Sequence, residues 1–169
     1  MQRFTPTVFD RLFDDASLRP QHDHLLRGLT LEQMKDSVAR DVEALLNTRL
    51  ALDEEQLSAY AHARRSVLSF GMSDFVGKSL ERADDRRDIC ETITRAISTH
   101  EPRLRDVTVT LAGPSTRLHA LSFSVTALLV LDPATEPISF DALLHPTTQQ
   151  YSVMASRRAV APEARHTVF

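Results

Sequence analysis

Between His100 and Leu104 the spacing of apolar residues changes from that of a helix to that of a strand, which divides the chain into a helical part and a sheet part. Upstream, Ile89, Ile93, Ala96 and Ile97 recur every three or four residues and share one helix face. Downstream, Val107, Val109 and Leu111 alternate with Thr108 and Thr110, the two-residue period of a strand. Pro102 marks the boundary. Because a proline disfavours helical geometry in the residue before it, the helix is expected to end near His100. Glu101 and Arg103, of opposite charge, bracket that proline.

The first strongly patterned helix opens at Thr30, a good N-cap with Gln33 three residues on as in a capping box. Leu31, Met34, Val38, Val42 and Leu45 continue its apolar face to about Arg49, while Glu32, Lys35, Asp36, Arg40 and Glu43 fill a solvated one. A weaker helical stretch carries Leu57, Tyr60, Ala61, Val67 and Leu68. It is expected to close at Phe70-Gly71, where glycine can take the left-handed conformation. Ser73-Asp74 offers another cap, for a short segment with Phe75, Val76 and Leu80. Asp84, Asp85 and Asp88 then favour the start of the second long helix through its dipole, and Cys90 reads as a small core residue beside its stripe.

In the second half, Ala112-Gly113-Pro114-Ser115 is expected to break the chain before Leu121, Phe123, Val125, Ala127, Leu129 and Leu131 form an antiparallel partner strand. Leu128 and Val130 make both faces of that strand apolar at its end, as in a strand that is central in a sheet or enters a contact. Ile138, Phe140 and Ala142 predict a third strand, and Tyr151, Val153 and Ala155 a fourth, joined by a hairpin loop at His145-Pro146-Thr147-Thr148. The expected fold class is α+β, with N-terminal helices packed on a C-terminal, mainly antiparallel sheet of about four strands.

A length of 169 residues fits one domain. Residues 1–29 read as an N-terminal arm and linker, 30–155 as a single α+β domain, and 156–169 as a flexible, basic tail. In the arm, Phe9, Leu12 and Phe13 form one sticky face for the domain or for a partner, and His22 and His24 read as loop histidines, since no further close His or Cys completes a metal site.

Several function classes are disfavoured. A net charge of -3 leaves no excess of Lys and Arg for a nucleic-acid backbone, and the absence of Trp leaves little for a stacking platform. Cys90 is the lone cysteine, so no intrachain disulfide can form and a reducing cytoplasm is expected. Met1 to Asp15 lacks the apolar region of a signal peptide, and no run reaches the roughly 20 apolar residues needed to span a bilayer. Neither a glycine-rich phosphate loop nor a Ser/His/Asp arrangement is present, and no metal or cofactor is implied. A glycosidase-like pair of Glu101 with Asp106 or Asp74 is the enzymatic option. Arg103 argues against it, because a general acid must keep its proton at neutral pH and a nearby cation favours the ionised carboxylate. Binding rather than catalysis is the expected work.

Four segments, in order, carry a family resemblance: Thr30 to Lys35, Ser66 to Phe75, Ile97 to Leu104, and Val107 to Val109. Together they resemble the TssE baseplate wedge subunits of bacterial type VI secretion systems and the related wedge protein of contractile phage tails. The likeness extends over about residues 6 to 155. Its most specific elements are the Glu101-Pro102-Arg103 triplet and the Phe70-Gly71-Met72-Ser73-Asp74 segment. That family usually has Tyr-Gly-Leu-Pro-Asp in the latter, so Phe70, Met72 and Ser73 depart from it while Gly71 and Asp74 are kept. A backbone role survives this change better than a tyrosine hydroxyl role.

The resemblance implies a structural part, without cofactor or metal, in a cytoplasmic baseplate docked at the inner face of the bacterial inner membrane. It implies that Phe70, Gly71, Asp74, Glu101, Pro102 and Arg103 bind the partner, a helical core bundle of TssF and TssG. The strands that follow would offer edges to the first ring of the TssB/TssC sheath, with TssK and the rest of the baseplate met indirectly. Nucleic-acid binding and direct membrane insertion are not implied. Because such proteins are also labelled lysozyme-like, the alternative is a peptidoglycan-acting hydrolase, and a third reading is an adaptor using the Phe9/Leu12/Phe13 face. From the residues alone, Glu101 and Arg103 either pair within the chain or face a partner.

Overall fold

The computed structural model describes residues 4–7, 28–52, 54–73, 82–115, 120–131, 134–145 and 147–156. The expectations for Phe9, Leu12, Phe13, His22, His24, Asp74, Phe75, Val76, Leu80 and the tail from residue 157 onward lie outside these residues. Of the arm, Phe4 is described: its N–H and C=O exchange hydrogen bonds with Leu29 at 2.9 and 2.6 Å, and its ring packs on the core.

Helix α1 spans Leu31–Asn47 and begins with the expected capping box. Thr30 Oγ1 accepts from the Gln33 N–H at 3.3 Å, and Gln33 Oε1 accepts from the Thr30 N–H at 2.9 Å. Met34, Val38, Val42, Leu45 and Leu46 are buried, so the sequence period maps directly onto the packed face. The helix stops two residues before the expected Arg49, because Thr48 turns extended and Arg49 forms a parallel bridge to Met72.

The stretch after α1 differs from the expected weak helix. It contains a single turn, α2 (Glu54–Leu57), and two 3-10 turns, Ala63–Arg65 and Val67–Ser69. Serine hydroxyls compete here for the backbone groups that a continuous helix would use. Ser66 Oγ donates to Ala63 O and accepts from the Leu68 N–H, and Ser69 Oγ donates to Arg64 O. Only Leu57 is buried among the apolar residues that suggested a stripe, whereas Tyr60, Val67 and Leu68 are exposed.

Helix α3 spans Ala83–His100, carries Asp84 and Asp85 in its first turn, and buries Ile89, Ile93 and Ile97. It ends where Pro102 requires. None of the helices among the described residues is long and apolar enough to cross a membrane.

Four antiparallel strands follow in the order β1-β2-β3-β4: β1 Leu104–Ser115, β2 Ala120–Leu131, β3 Ala134–His145 and β4 Gln150–Ala155. The expected break at 112–115 is instead a register irregularity inside β1, which runs on until Ser115 pairs with Ala120. An edge strand can hold Gly113 and Pro114, since a proline there need not cost a ladder hydrogen bond. A second irregularity, between Arg105 and Thr108, places Asp106 at φ 52. This extra residue lets Leu104 and Val109 both be buried despite their odd separation, which a regular strand would forbid.

The inner face of the sheet, including Phe123, Val125, Leu129 and Phe140, joins the apolar faces of α1 and α3 in one core. Helix α1 lies against β4 and α3 against β1, giving two layers. Half-buried Cys90 packs on this core; burial raises its thiol pKa, and the Leu111 N–H partly opposes that.

Tyr151 is buried, and its hydroxyl has no hydrogen-bond partner among the described residues. Burial first, and the Cys90 charge second, push its pKa up to about 12. A neutral acid whose pKa is higher folded than unfolded, where it is about 10, stabilises the fold below pH ~10 and loses that contribution as pH rises toward 12. We expect wild-type stability in urea to fall by about 2 to 3 kcal/mol over that window from this group. Tyr151→Phe should flatten that slope while changing stability at pH 7 by less than about 1 kcal/mol. An equal alkaline slope in the Phe variant would assign the loss to other groups.

Candidate functional site

The link between α3 and β1 is three residues long, and its backbone is closed by two hydrogen bonds: Glu101 N–H to Ile97 O at 2.8 Å and Leu104 N–H to Glu101 O at 3.1 Å. This turn points the Glu101 side chain inward, where the residue is only 5% exposed. Arg103 follows it. Its backbone N–H and Nε donate to Glu101 Oε1 at 3.1 and 2.8 Å, and Nη2 donates to Glu101 Oε2 at 2.6 Å. The same Nη2 meets Asp41 Oδ2, and Nη1 donates to buried Ser37 Oγ at 3.3 Å. Ser37 and Asp41 lie four residues apart on α1, so one guanidinium ties α1 to the corner.

The electrostatics follow from the geometry. Burial alone would lower the pKa of Arg103, but hydrogen bonds and charge from Glu101, then from Asp41, outweigh it and hold the guanidinium above its ordinary value. Two carboxylates, Glu101 and Asp41, share this one guanidinium. Of the two possibilities left open by the sequence, the fold pairs Glu101 with Arg103 within the chain. Pro102, between them, is exposed.

A second sequence element is brought to the same corner. Gly71 sits at φ 126, and a Cβ there would lie 2.6 Å from Thr48 O and 3.0 Å from the Arg49 carbonyl carbon, so only glycine fits. The close approach lets the Met72 N–H donate to Thr48 O at 2.8 Å and the Leu50 N–H donate to Met72 O at 3.0 Å. Phe70, just before it, meets the His100 ring edge-on with centroids 5.4 Å apart. His100 Nε2 donates to Ser69 O at 2.8 Å, since a carbonyl can only accept. Phe70 and Gly71 therefore join Glu101, Pro102 and Arg103 through His100, while Asp74 lies outside the described residues.

The carboxylate-pair option does not fit this arrangement. Both Glu101 oxygens accept from Arg103, so neither is turned toward a substrate, and Asp106 is exposed in the β1 bulge. The cavity beside the Phe70–His100 contact, lined by Leu57, Arg64, Arg95 and Thr99 among others, encloses about 230 Å³. That is smaller than the roughly 300 to 1,000 Å³ of small-molecule sites.

Sequence reasoning missed Ser37, Asp41 and His100 as parts of the site. Asp41 breaks the apolar row of α1 between Val38 and Val42, a signal that something polar reaches that face. Its partner, 62 residues away, had no local signature.

The sheet edges are equally specific. Asn47 Oδ1 accepts from the Tyr151 N–H at 2.7 Å and its Nδ2 donates to Tyr151 O at 2.9 Å, while Glu43 Oε2 accepts from the Val153 N–H at 2.7 Å. Side chains of α1 thus close the outer edge of β4 as a further strand would. Asn47→Ala is expected to destabilise by about 1 to 2 kcal/mol and to speed amide exchange at Tyr151; unchanged exchange there would show that the cap is not used.

The family model described as baseplate wedge protein gp25 matches residues 32–134, more than half of the chain. The chain belongs to that family. No individually curated protein matches it. Ser37, Asp41, Gly71 and the Glu101–Arg103 corner all fall within the matched span, whereas most of β3 and all of β4 lie beyond it. The gp25 wedge family consists of structural baseplate components, so the role of this fold is contact with other baseplate parts.

Proposed function

We propose that the chain is a non-catalytic subunit of the cytoplasmic baseplate of a type VI secretion system, held at the inner face of the inner membrane. It docks on a TssF and TssG bundle through Glu101, Pro102 and Arg103 together with Phe70, Gly71 and Asp74. Its sheet then helps to start the TssB/TssC sheath by strand addition, and it meets TssK only through the rest of the baseplate. The observation that carries this reading is the convergence of the two motif segments at His100, where Arg103 holds the corner rigid from inside and leaves Pro102 outside. A preorganised corner loses little entropy on docking.

Pro102→Glu tests the docking, because an exposed substitution adds a charge without touching the internal network. Affinity for a co-purified TssF–TssG wedge should fall about tenfold, equivalent to roughly 1.4 kcal/mol, with the circular dichroism spectrum unchanged. Unaltered affinity removes the corner from the interface. Turnover of purified peptidoglycan, lost in Glu101→Gln, would overturn the non-catalytic assignment.

A further inference from the structure

We propose that Leu128 and Val130, with Arg105 and Pro102 beside them, form an apolar patch on the outer face of the sheet that seats an amphipathic helix of the wedge bundle, a carboxylate of that helix meeting Arg105. This rests on the docking reading above and deepens it: the corner is one border of the interface, and the end of the sheet supplies its apolar centre.

The patch follows from strand parity. Along β2, Phe123, Val125, Ala127, Leu129 and Leu131 are buried in the core with the helices, so the residues between them line the opposite face. Over most of its length that face carries hydroxyls, as the solvated side of an antiparallel sheet should: Ser122 is paired with Ala112, Ser124 with Thr110 and Thr126 with Thr108. The alternation fails at Leu128 and Val130. Neither belongs to the described core or packs against it. Both are half-buried, as are Ser122, Ser124 and Thr126 on the same face, so flanking by β1 and β3 accounts for their partial shielding. A central place in the sheet does not explain their apolar side chains, because they contribute nothing to the core. Apolar side chains left outside a core and rimmed by polar ones mark a contact with another molecule.

Continuity and charge identify the partner. The Val130 N–H donates to Arg103 O at 2.8 Å, so the patch begins beside the residue that follows exposed Pro102. Arg105, paired with Leu128 on the same face, is exposed and makes no ion pair among the described residues. Asp106 is displaced from the ladder by the bulge, which leaves Arg105 as the charge on this row. On the other side of Leu128, exposed Pro137 carries the apolar row onto β3. From Arg105 through Leu128 to Pro137 the row crosses three strands, about 10 Å, which is close to the width of one α-helix with its side chains. A sheet face presents side chains rather than the free N–H and C=O groups of an edge, so a helix laid across it, with an apolar stripe bordered by Asp or Glu, matches both shape and charge.

The test uses the full chain, a co-purified TssF–TssG wedge and a Leu128→Thr/Val130→Thr variant, which continues the hydroxyl rows with a residue that favours strands. Wedge affinity should fall about tenfold in that variant, and about three- to tenfold in Arg105→Glu. Ser122→Thr/Ser124→Thr, farther along the same face, should leave affinity unchanged. A soluble paramagnetic agent should broaden the Leu128 and Val130 methyl resonances of the free chain but not those of the complex. Wild-type affinity in the double-threonine variant overturns the proposal. So do methyls already shielded in the free chain, because another part of the chain would then cover the patch, and shielding that appears as the chain alone is concentrated, because a second copy would. Pro102→Glu separates this inference from the reading it rests on. If Pro102→Glu weakens binding and the double-threonine variant does not, the patch fails alone; if the double-threonine variant weakens it and Pro102→Glu does not, the corner fails alone. A wild-type chain that does not bind the wedge overturns both.

Discussion

Arg103→Ala is expected to destabilise the domain by about 3 to 5 kcal/mol, a large part of the roughly 5 to 15 kcal/mol that holds a typical domain folded. The whole pair need not be worth that much, since desolvating two ions offsets most of their attraction. The cost arises from breaking it. Without the guanidinium, the Glu101 carboxylate remains 95% shielded from water with no counter-charge, and Ser37 loses its donor. Arg103→Lys should recover only part of the loss, because one ammonium cannot reproduce the fork that reaches Glu101, Asp41 and Ser37 together. Replacing both members, as Glu101→Gln with Arg103→Met, should cost less than Arg103→Met alone, so the two substitutions are non-additive in a double-mutant cycle. Urea denaturation at pH 7 reads all of these. A loss below about 1 kcal/mol for Arg103→Ala would mean that the corner behaves as a solvated surface pair.

This expectation changes how the corner must be tested as a docking site. Alanine at Glu101 or Arg103 weakens the fold and any interface together, so lost assembly would not distinguish them. Substitution at exposed Pro102 avoids the ambiguity.

Gly71→Ala should cost about 2 to 4 kcal/mol through two additive faults. The backbone at φ 126 is a conformation that a side chain disfavours, and the added Cβ would overlap Thr48 O at 2.6 Å, a backbone atom with no rotamer to move. Relief requires lifting the Phe70–Met72 segment away from the end of α1, which breaks the Met72 and Leu50 hydrogen bonds. The thermal midpoint should drop and the Met72 amide should exchange faster. A midpoint within about one degree of wild type would show that the loop yields elsewhere.

Periodicity determined the α+β order and four strands with the correct inward residues, while residue chemistry at Thr30, Gln33 and Pro102 determined the capping box and the end of α3, because each is a local match between sequence and backbone geometry. The stretch from Leu57 to Leu68 misled for the same reason: its apolar spacing suggested a helix, but serine hydroxyls favour short turns there, and Tyr60, Val67 and Leu68 are exposed. Glu101 and Arg103 were legible as a charged pair about a proline. That they close on each other, that Asp41 and Ser37 complete the network, and that Asn47 and Glu43 seal β4 were decided by tertiary structure. Glu101 and Arg103 are two residues apart, but the groups that complete the network and seal β4 are 62 to 110 residues from their partners, and a hydrogen bond across such a separation leaves no periodic trace in the chain that makes it.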